Sequence, residues 1–173
     1  MAESKDGDIY WHAPDPRAII PLEDPKVPKH LWKKIKRGDF DFSLDKDFEN
    51  VIARCSEREE TWISQPIIDA YTELYYLGYA HSVETWQNSK LVGGLYGVAV
   101  GGAFFGESMF NTVSDASKAA FYYLVSHLKS QGFVLLDSQY INDFTKKLGA
   151  IQISREIYLN ILKKAINLQC SFL

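Results

Sequence analysis

The chain has 173 residues, 46% of them hydrophobic and 14% aromatic, enough to bury the core of one domain with a short appendage. Its charged fraction of 24% is ordinary, and a net charge of −3 argues against a global nucleic-acid or anionic-membrane partner, so any polyanion contact must be local. The two cysteines, Cys55 and Cys170, form no CxxC and argue against a disulfide framework or a zinc site.

The opening MAESKDGDIYW is acidic and polar, without the basic and apolar regions of a secretory signal. No run approaches the roughly 18 apolar residues that span a bilayer. A soluble, cytoplasmic protein is expected, with no membrane partner. Residues 1–28 are loop-like, punctuated by Pro14, Pro16, Pro21, Pro25 and Pro28. HLWKKIKRG is a short basic helix that Gly38 ends, and the alternation in DFDFSL suits a strand. DKDFENVIARC puts Phe48, Val51, Ile52 and Cys55 on one helical stripe, with Asp45 as its cap. SQPIIDAYTELYYLG is the next helix, capped at Ser64 and followed by Gly78, with Ile67, Ala70, Tyr71 and Leu74 on one face. YAHSVETWQ, KLVGGLYGVAV and AFFGESMF then read as three strands of an antiparallel meander, turning at NSK and at the glycine pair 101–102. SDASKAAFYYLVSHLKSQG is a long helix capped at Ser114 or Asp115 and closed by Gly132. FVLLDSQ is a buried strand, INDFTKKLG a short helix and SREIYLNILKKAI a terminal amphipathic helix. This is an α+β pattern, helices on a mixed sheet, in the order of an N-acetyltransferase-like (GNAT) fold.

Glu107 is the odd residue in the apolar GGLYGVAVGGAFFGESMF stretch. Regular alternation puts it on one face with Phe105 and Met109, where a carboxylate is costly to bury without a partner. Either it reaches solvent or a lysine at the strand end, or it serves a ligand. The glycines around it favour close approach of a ligand or of another backbone. Ser108 is no nucleophile, because GESMF lacks the second glycine of GxSxG and its strand–turn–helix setting. Asp137 and Gln139 share one side at the end of LLDSQ, either offered to a ligand or, for Asp137, capping the next helix. His81 reads as a satisfied core or edge histidine, and the other histidines lack metal-ligand spacing. Lys29, Lys33, Lys34, Lys36 and Arg37, with Trp32 among them, form either a solvated helix face or a phosphate-binding patch. There is no Walker loop, and VAVGG does not match the pyrophosphate loop of acetyl-CoA enzymes.

TWIS, GYAHSVETW, LVGGLYGVAVGGAFFGESMF, SDASKAA, GFVLLDSQ and LGA, with YWHAPDPRAIIPL before them, closely resemble the leucyl/phenylalanyl-tRNA–protein transferase family. The likeness runs from about Tyr10 to Ile166. It implies an aminoacyltransferase that moves leucine, phenylalanine or methionine from aminoacyl-tRNA to proteins beginning with arginine or lysine, marking them for degradation. No cofactor and no metal is implied. The resemblance places Glu107 and Met109 where the aminoacyl group and the basic acceptor meet, and Asp137 and Gln139 as the polar pair at the reacting ester. Leu95, Phe104, Leu124, Leu128 and Leu136 are then expected to line the pocket for the transferred side chain. The lysine patch is the expected acceptor-stem contact, on charge alone.

The chain departs from the family at several places. About a dozen residues precede PDPR, so residues 1–13 are expected to be a remnant of the family's N-terminal domain and 14–173 the aminoacyltransferase domain. Ser138 stands where cysteine is usual, and Phe144 and Lys147 where histidine and serine are usual. Two rival readings share the fold: a binding module for basic N-terminal peptides or apolar amino acids, and an acyltransferase with another donor.

Overall fold

In the computed structural model the described residues are 10, 12–23, 25, 27–57 and 61–173. Seven strands form one sheet: β1 (Arg17–Ile19), β2 (Asp41–Leu44), β3 (Ala80–Gln87), β4 (Lys90–Val100), β5 (Ala103–Asn111), β6 (Leu135–Gln139) and β7 (Ile151–Ile153). Six helices accompany them: α1 (Lys29–Arg37), α2 (Phe48–Cys55), α3 (Gln65–Tyr76), α4 (Ala116–Ser130), α5 (Asp143–Lys147) and α6 (Arg155–Ala165). The spatial order is β2-β3-β4-β5-β6-β1-β7. Every pairing is antiparallel except β5 with β6, because α4 carries the chain across one face between those two strands.

The helix faces follow their apolar stripes. Leu124 and Leu128 of α4 pack with Leu95 and Phe104 on one face of the sheet. The other face is covered by α2 and α3 over its first strands, around Phe48, Ile67 and Tyr96. Ala165 and Tyr158 of α6 cover the same face further along, against Ala103 and Leu135. The expected helices and meander are all present.

Two strands are not in the sequence reading. Arg17–Ile19 lies inside the segment read as loop, yet it pairs with both β6 and β7. Asp45 is not a helix cap. It sits at φ 51°, receives the Ser82 N–H (2.7 Å) and pairs with His81 Nδ1 (2.7 Å), while Asp47 takes the N-cap position. His81 is thus the satisfied core histidine expected, stacked on Phe172. Ala70 faces solvent, because the buried side of α3 is centred on Ile67, Ile68, Tyr71 and Tyr75. Asp137 does not cap α5; Asn142 does, accepting from the N–H groups of Phe144 and Thr145.

The main irregularity is in β5. Gly97 pairs with Gly106, but Tyr96 pairs with Ser108, so Glu107 is an extra residue, a β-bulge. Phe104 faces α4 before the bulge and Met109 faces α4 after it. Glu107 therefore does not share a face with both Phe105 and Met109, as regular alternation required. Gly97 makes room beside the bulge: a Cβ there would lie 2.3 Å from the Phe105 carbonyl oxygen and 2.5 Å from the Phe104 ring. Gly97→Ala is expected to cost about 1–3 kcal/mol by overpacking, read as a lower urea midpoint at unchanged m-value.

Candidate active site

Ladder pairing between β5 and β6 covers only Ala103–Phe105 against Leu135–Asp137. Beyond Phe105 the bulge takes β5 out of register, and a cavity of about 370 Å³ is present there. Its apolar wall includes Leu95, Met109, Phe121, Leu124 and Leu136. Glu107, Ser138 and Gln139 line it on the strands, and Trp62, Tyr140 and Phe144 add aromatic surface.

Glu107 is half-buried and accepts hydrogen bonds from the Tyr71 hydroxyl and from Gln139 Nε2 (3.3 Å). Burial raises its carboxyl to about pKa 7, with the bonds from Tyr71 and Gln139 pulling it back down and the Asp137 charge adding to the rise. The same burial, with the Glu107 charge beside it, pushes the Tyr71 phenol well up. Tyr71→Phe removes a bond that favours the charged carboxylate. The variant should raise the Glu107 pKa further, which a carboxyl-carbon NMR titration reads directly.

Gln139 stands in the left-handed region at φ 65°. Its side-chain amide reaches across the opening to the Gly106 carbonyl (3.4 Å) as well as to Glu107. Its backbone N–H donates to Asp137 Oδ1 (2.7 Å). Asp137, the other member of the expected polar pair, is bonded on its protein side. It borders the cavity, yet it is 0% exposed and its carboxylate is held from behind. Arg17 Nε donates to both its oxygens (3.1 Å each), Arg17 Nη2 to Oδ2 (2.8 Å), and the Tyr158 hydroxyl to Oδ2 (2.6 Å). A carboxylate offers about four acceptor positions, so none is left for a substrate. Burial alone would lower the Arg17 guanidinium; the Asp137 hydrogen bond and charge raise it above its ordinary value instead.

The remaining expected residues divide. Leu95, Leu124, Leu136 and Met109 border the cavity. Phe104 and Leu128 do not: both are fully buried in the core between α4 and the sheet. The lysine patch lies on α1, which contributes no residue to the cavity. Lys29, Lys33, Lys36 and Arg37 are exposed. Lys34 is engaged by Asp115 (2.7 Å), Arg37 pairs with Asp39, and Lys36 lies over the ring of Trp32, which is 48% exposed. Lys26, at the edge of that patch, falls outside the described residues. Among the described residues no cluster of three metal-ligating side chains occurs, and no helix is long and apolar enough to cross a membrane.

The sequence does not mark Arg17, Tyr158, Tyr71 or Trp62 as site residues, and Tyr71 reads there only as part of the apolar face of its helix. The PDPR and TWIS motifs carried the signal for Arg17 and Trp62; nothing local marked the two tyrosines.

Comparison with known proteins fits this geometry. The family profile described as leucyl/phenylalanyl-tRNA protein transferase matches residues 19–163. A leucyl/phenylalanyl-tRNA–protein transferase from Gloeobacter violaceus is 48% identical over 172 residues, 99% of this chain and 89% of the relative. Another from Chlorobium limicola is 46% identical over 177 residues, 100% of this chain and 91% of the relative. Among solved structures, the GCN5-related glucosamine N-acetyltransferase region of a fungal multi-domain β-N-acetylglucosaminidase superposes with a TM-score of 0.58 at 13% identity, covering 81% of this chain and 20% of that one. L-PGS from Bacillus licheniformis superposes with a TM-score of 0.55 at 12% identity, covering 88% of this chain and 65% of that one. These two speak for the fold alone: α+β and GNAT-like, as expected from the order of elements. With a family profile over most of its length and near-half identity to relatives along the whole of it, the chain belongs to the leucyl/phenylalanyl-tRNA–protein transferase family and is an aminoacyltransferase.

Proposed function

We propose that this aminoacyltransferase, which takes leucine or phenylalanine from tRNA to a protein N-terminus, acts on acceptors beginning with arginine or lysine, at the β5–β6 opening. The observation that carries the reading is a hydrogen-bonded polar pair, Glu107 and Gln139, at an otherwise apolar cavity. The transferred side chain fills the apolar wall, and the ester carbon then lies beside the pair. Trp62 offers a face on which the donor's terminal base stacks, a contact that needs no base-edge readout. The exposed lysines of α1 meet the phosphates behind it. The acceptor's cationic group is drawn to the Glu107 carboxylate. The added residue marks the acceptor for degradation in the cytoplasm.

An aminoacyl ester is already activated, so positioning in a dry cavity is most of the task. The attacking α-amine has an ordinary pKa near 8 and is partly neutral at working pH. Gln139 spends its Nε2 on Gly106 and Glu107, which leaves Oε1 to accept from that amine and aim its lone pair at the carbonyl carbon. The C–N bond forms, the C–O bond to ribose breaks, the ribose oxygen gains a proton and the amine loses one. Gln139 orients but does not take the proton, because an amide is barely basic.

The test is transfer of label from radiolabelled leucyl- or phenylalanyl-tRNA to a protein beginning with arginine. Label in the acceptor is expected, and none in the same protein beginning with aspartate. Reversing charge at Lys33 and Lys36 should raise the KM for tRNA and flatten its salt dependence, leaving the acceptor KM alone. A folded chain that labels no acceptor would sink the reading and favour a binding module.

A further inference from the structure

We propose that Arg17 and Tyr158 are positioning residues for the transfer, acting through Asp137 on Gln139; the inference rests on the transferase reading above. A non-glycine residue in the left-handed region persists only where its surroundings over-determine it. At Gln139 the determinant is the short bond from its own N–H to Asp137 Oδ1 (2.7 Å). Asp137 can hold that bond only if its carboxylate is itself fixed. Two side chains from remote elements do this. Arg17, on β1, grips both oxygens with a planar fork, and Tyr158, on α6, adds its hydroxyl. They also steady each other, the guanidinium lying 5.1 Å from the centre of the Tyr158 ring.

The geometry at the far end makes this support matter. The two bonds from Gln139 Nε2 are 3.3 and 3.4 Å, the long end of the range, so a small rotation of the backbone would break both. Asp137, fully buried with its acceptor positions filled, does not touch the reacting atoms. It transmits position. The clamp ties β1, β6 and α6 to one glutamine at the cavity.

Tyr158→Phe keeps the ring and removes only the hydroxyl. The expected result is a kcat lower by about ten- to a hundred-fold, the scale of a small misplacement in an active site. The KM values for tRNA and acceptor should stay within twofold, while the melting temperature falls by a few degrees because a buried carboxylate loses one donor. Arg17→Lys keeps the charge but loses the fork, and should fall between wild type and Arg17→Met. A purely structural clamp would lower the melting temperature alone and spare kcat below it. A Tyr158→Phe kcat within twofold of wild type, or a rise in KM in place of the kcat loss, overturns the proposal. If Tyr158→Phe does not fold, Arg17→Lys is read by the same criteria. A wild type that transfers nothing speaks against the functional reading, and the clamp is then read from the Gln139 side-chain amide in a nitrogen-15 spectrum. That resonance should shift and broaden in Arg17→Lys; an unmoved one refutes the clamp.

Discussion

Gln139→Ala should lower kcat by about two to three orders of magnitude with the fold intact. Alanine removes one preorganised hydrogen-bonding group from the proposed reacting centre. The amide bonds across the β5–β6 opening to the Gly106 carbonyl and to Glu107, and alanine removes both its anchoring and its orienting atoms. Two further substitutions separate reach from charge. Gln139→Asn tolerates the left-handed backbone but is one methylene too short to hold Gly106, so its kcat should resemble that of alanine. Gln139→Glu sets a second carboxylate against Glu107, and two like charges at one site raise the pKa of one of them. Its pH profile should move to higher pH as well as losing height. Single-turnover transfer from labelled leucyl-tRNA measures all three, and an alanine variant retaining a tenth of the wild-type rate would sink the role given to Gln139.

Glu107→Gln is the second large effect, and it is pH-dependent. With a pKa of about 7, Glu107 is half ionised near neutrality, and in the proposed function a cationic acceptor binds the ionised form. Acceptor kcat/KM should therefore climb from about pH 6 to pH 8, with the neutral α-amine supplying a second limb near its own pKa of about 8. In Glu107→Gln the lower limb disappears, and kcat/KM above pH 8 falls by about ten- to a hundred-fold, the scale of one lost hydrogen bond to a charged group. Stability moves the other way. The folded pKa of about 7 lies above the ordinary 4.5, so the native state favours the protonated carboxyl. That contribution is fully present below about pH 4.5 and is lost as pH rises through 7. Glu107→Gln should match wild type in urea near pH 4 and exceed it at pH 8 by about 1–3 kcal/mol, a range discounted because the group is only half-buried.

The layout of helices and meander was legible because each long element declares itself by period and punctuation. Phe48, Val51, Ile52 and Cys55 fall on one buried stripe as spaced, and the NSK turn lies where it was read, with Asn88 and Ser89 both at positive φ. The three-residue strands were not legible. Arg17–Ile19 is too short to show alternation and sits between prolines, so only its partners β6 and β7 make it a strand. The bulge was invisible for the same reason: GESMF alternates normally, and the slip exists only in its register with β4. Phe104 and Leu128 show the limit of resemblance. It picks out apolar positions near a pocket but not their depth, and both lie in the core. Asp137 borders the cavity as expected, and the groups that fill its acceptor positions were not legible because they come from β1 and α6, far away in the chain.

The position of β1 has a consequence for synthesis. The first strand in the chain is inserted between the last two, and Arg17 meets Asp137 across 120 residues of sequence. At a translation rate of about 5–20 residues per second, Arg17 waits roughly 6–24 s for its partner to be made. Until then the N-terminal segment has no ladder to join, and Gln139 does not yet exist to be set. A nascent chain can build β3 to β5 and dock α2 and α3 on them while still tethered to the ribosome, surrounded by aminoacyl-tRNA. It cannot close the cavity between β5 and β6 until its last third has emerged, so the candidate site and the clamp behind it are assembled together at the end of synthesis.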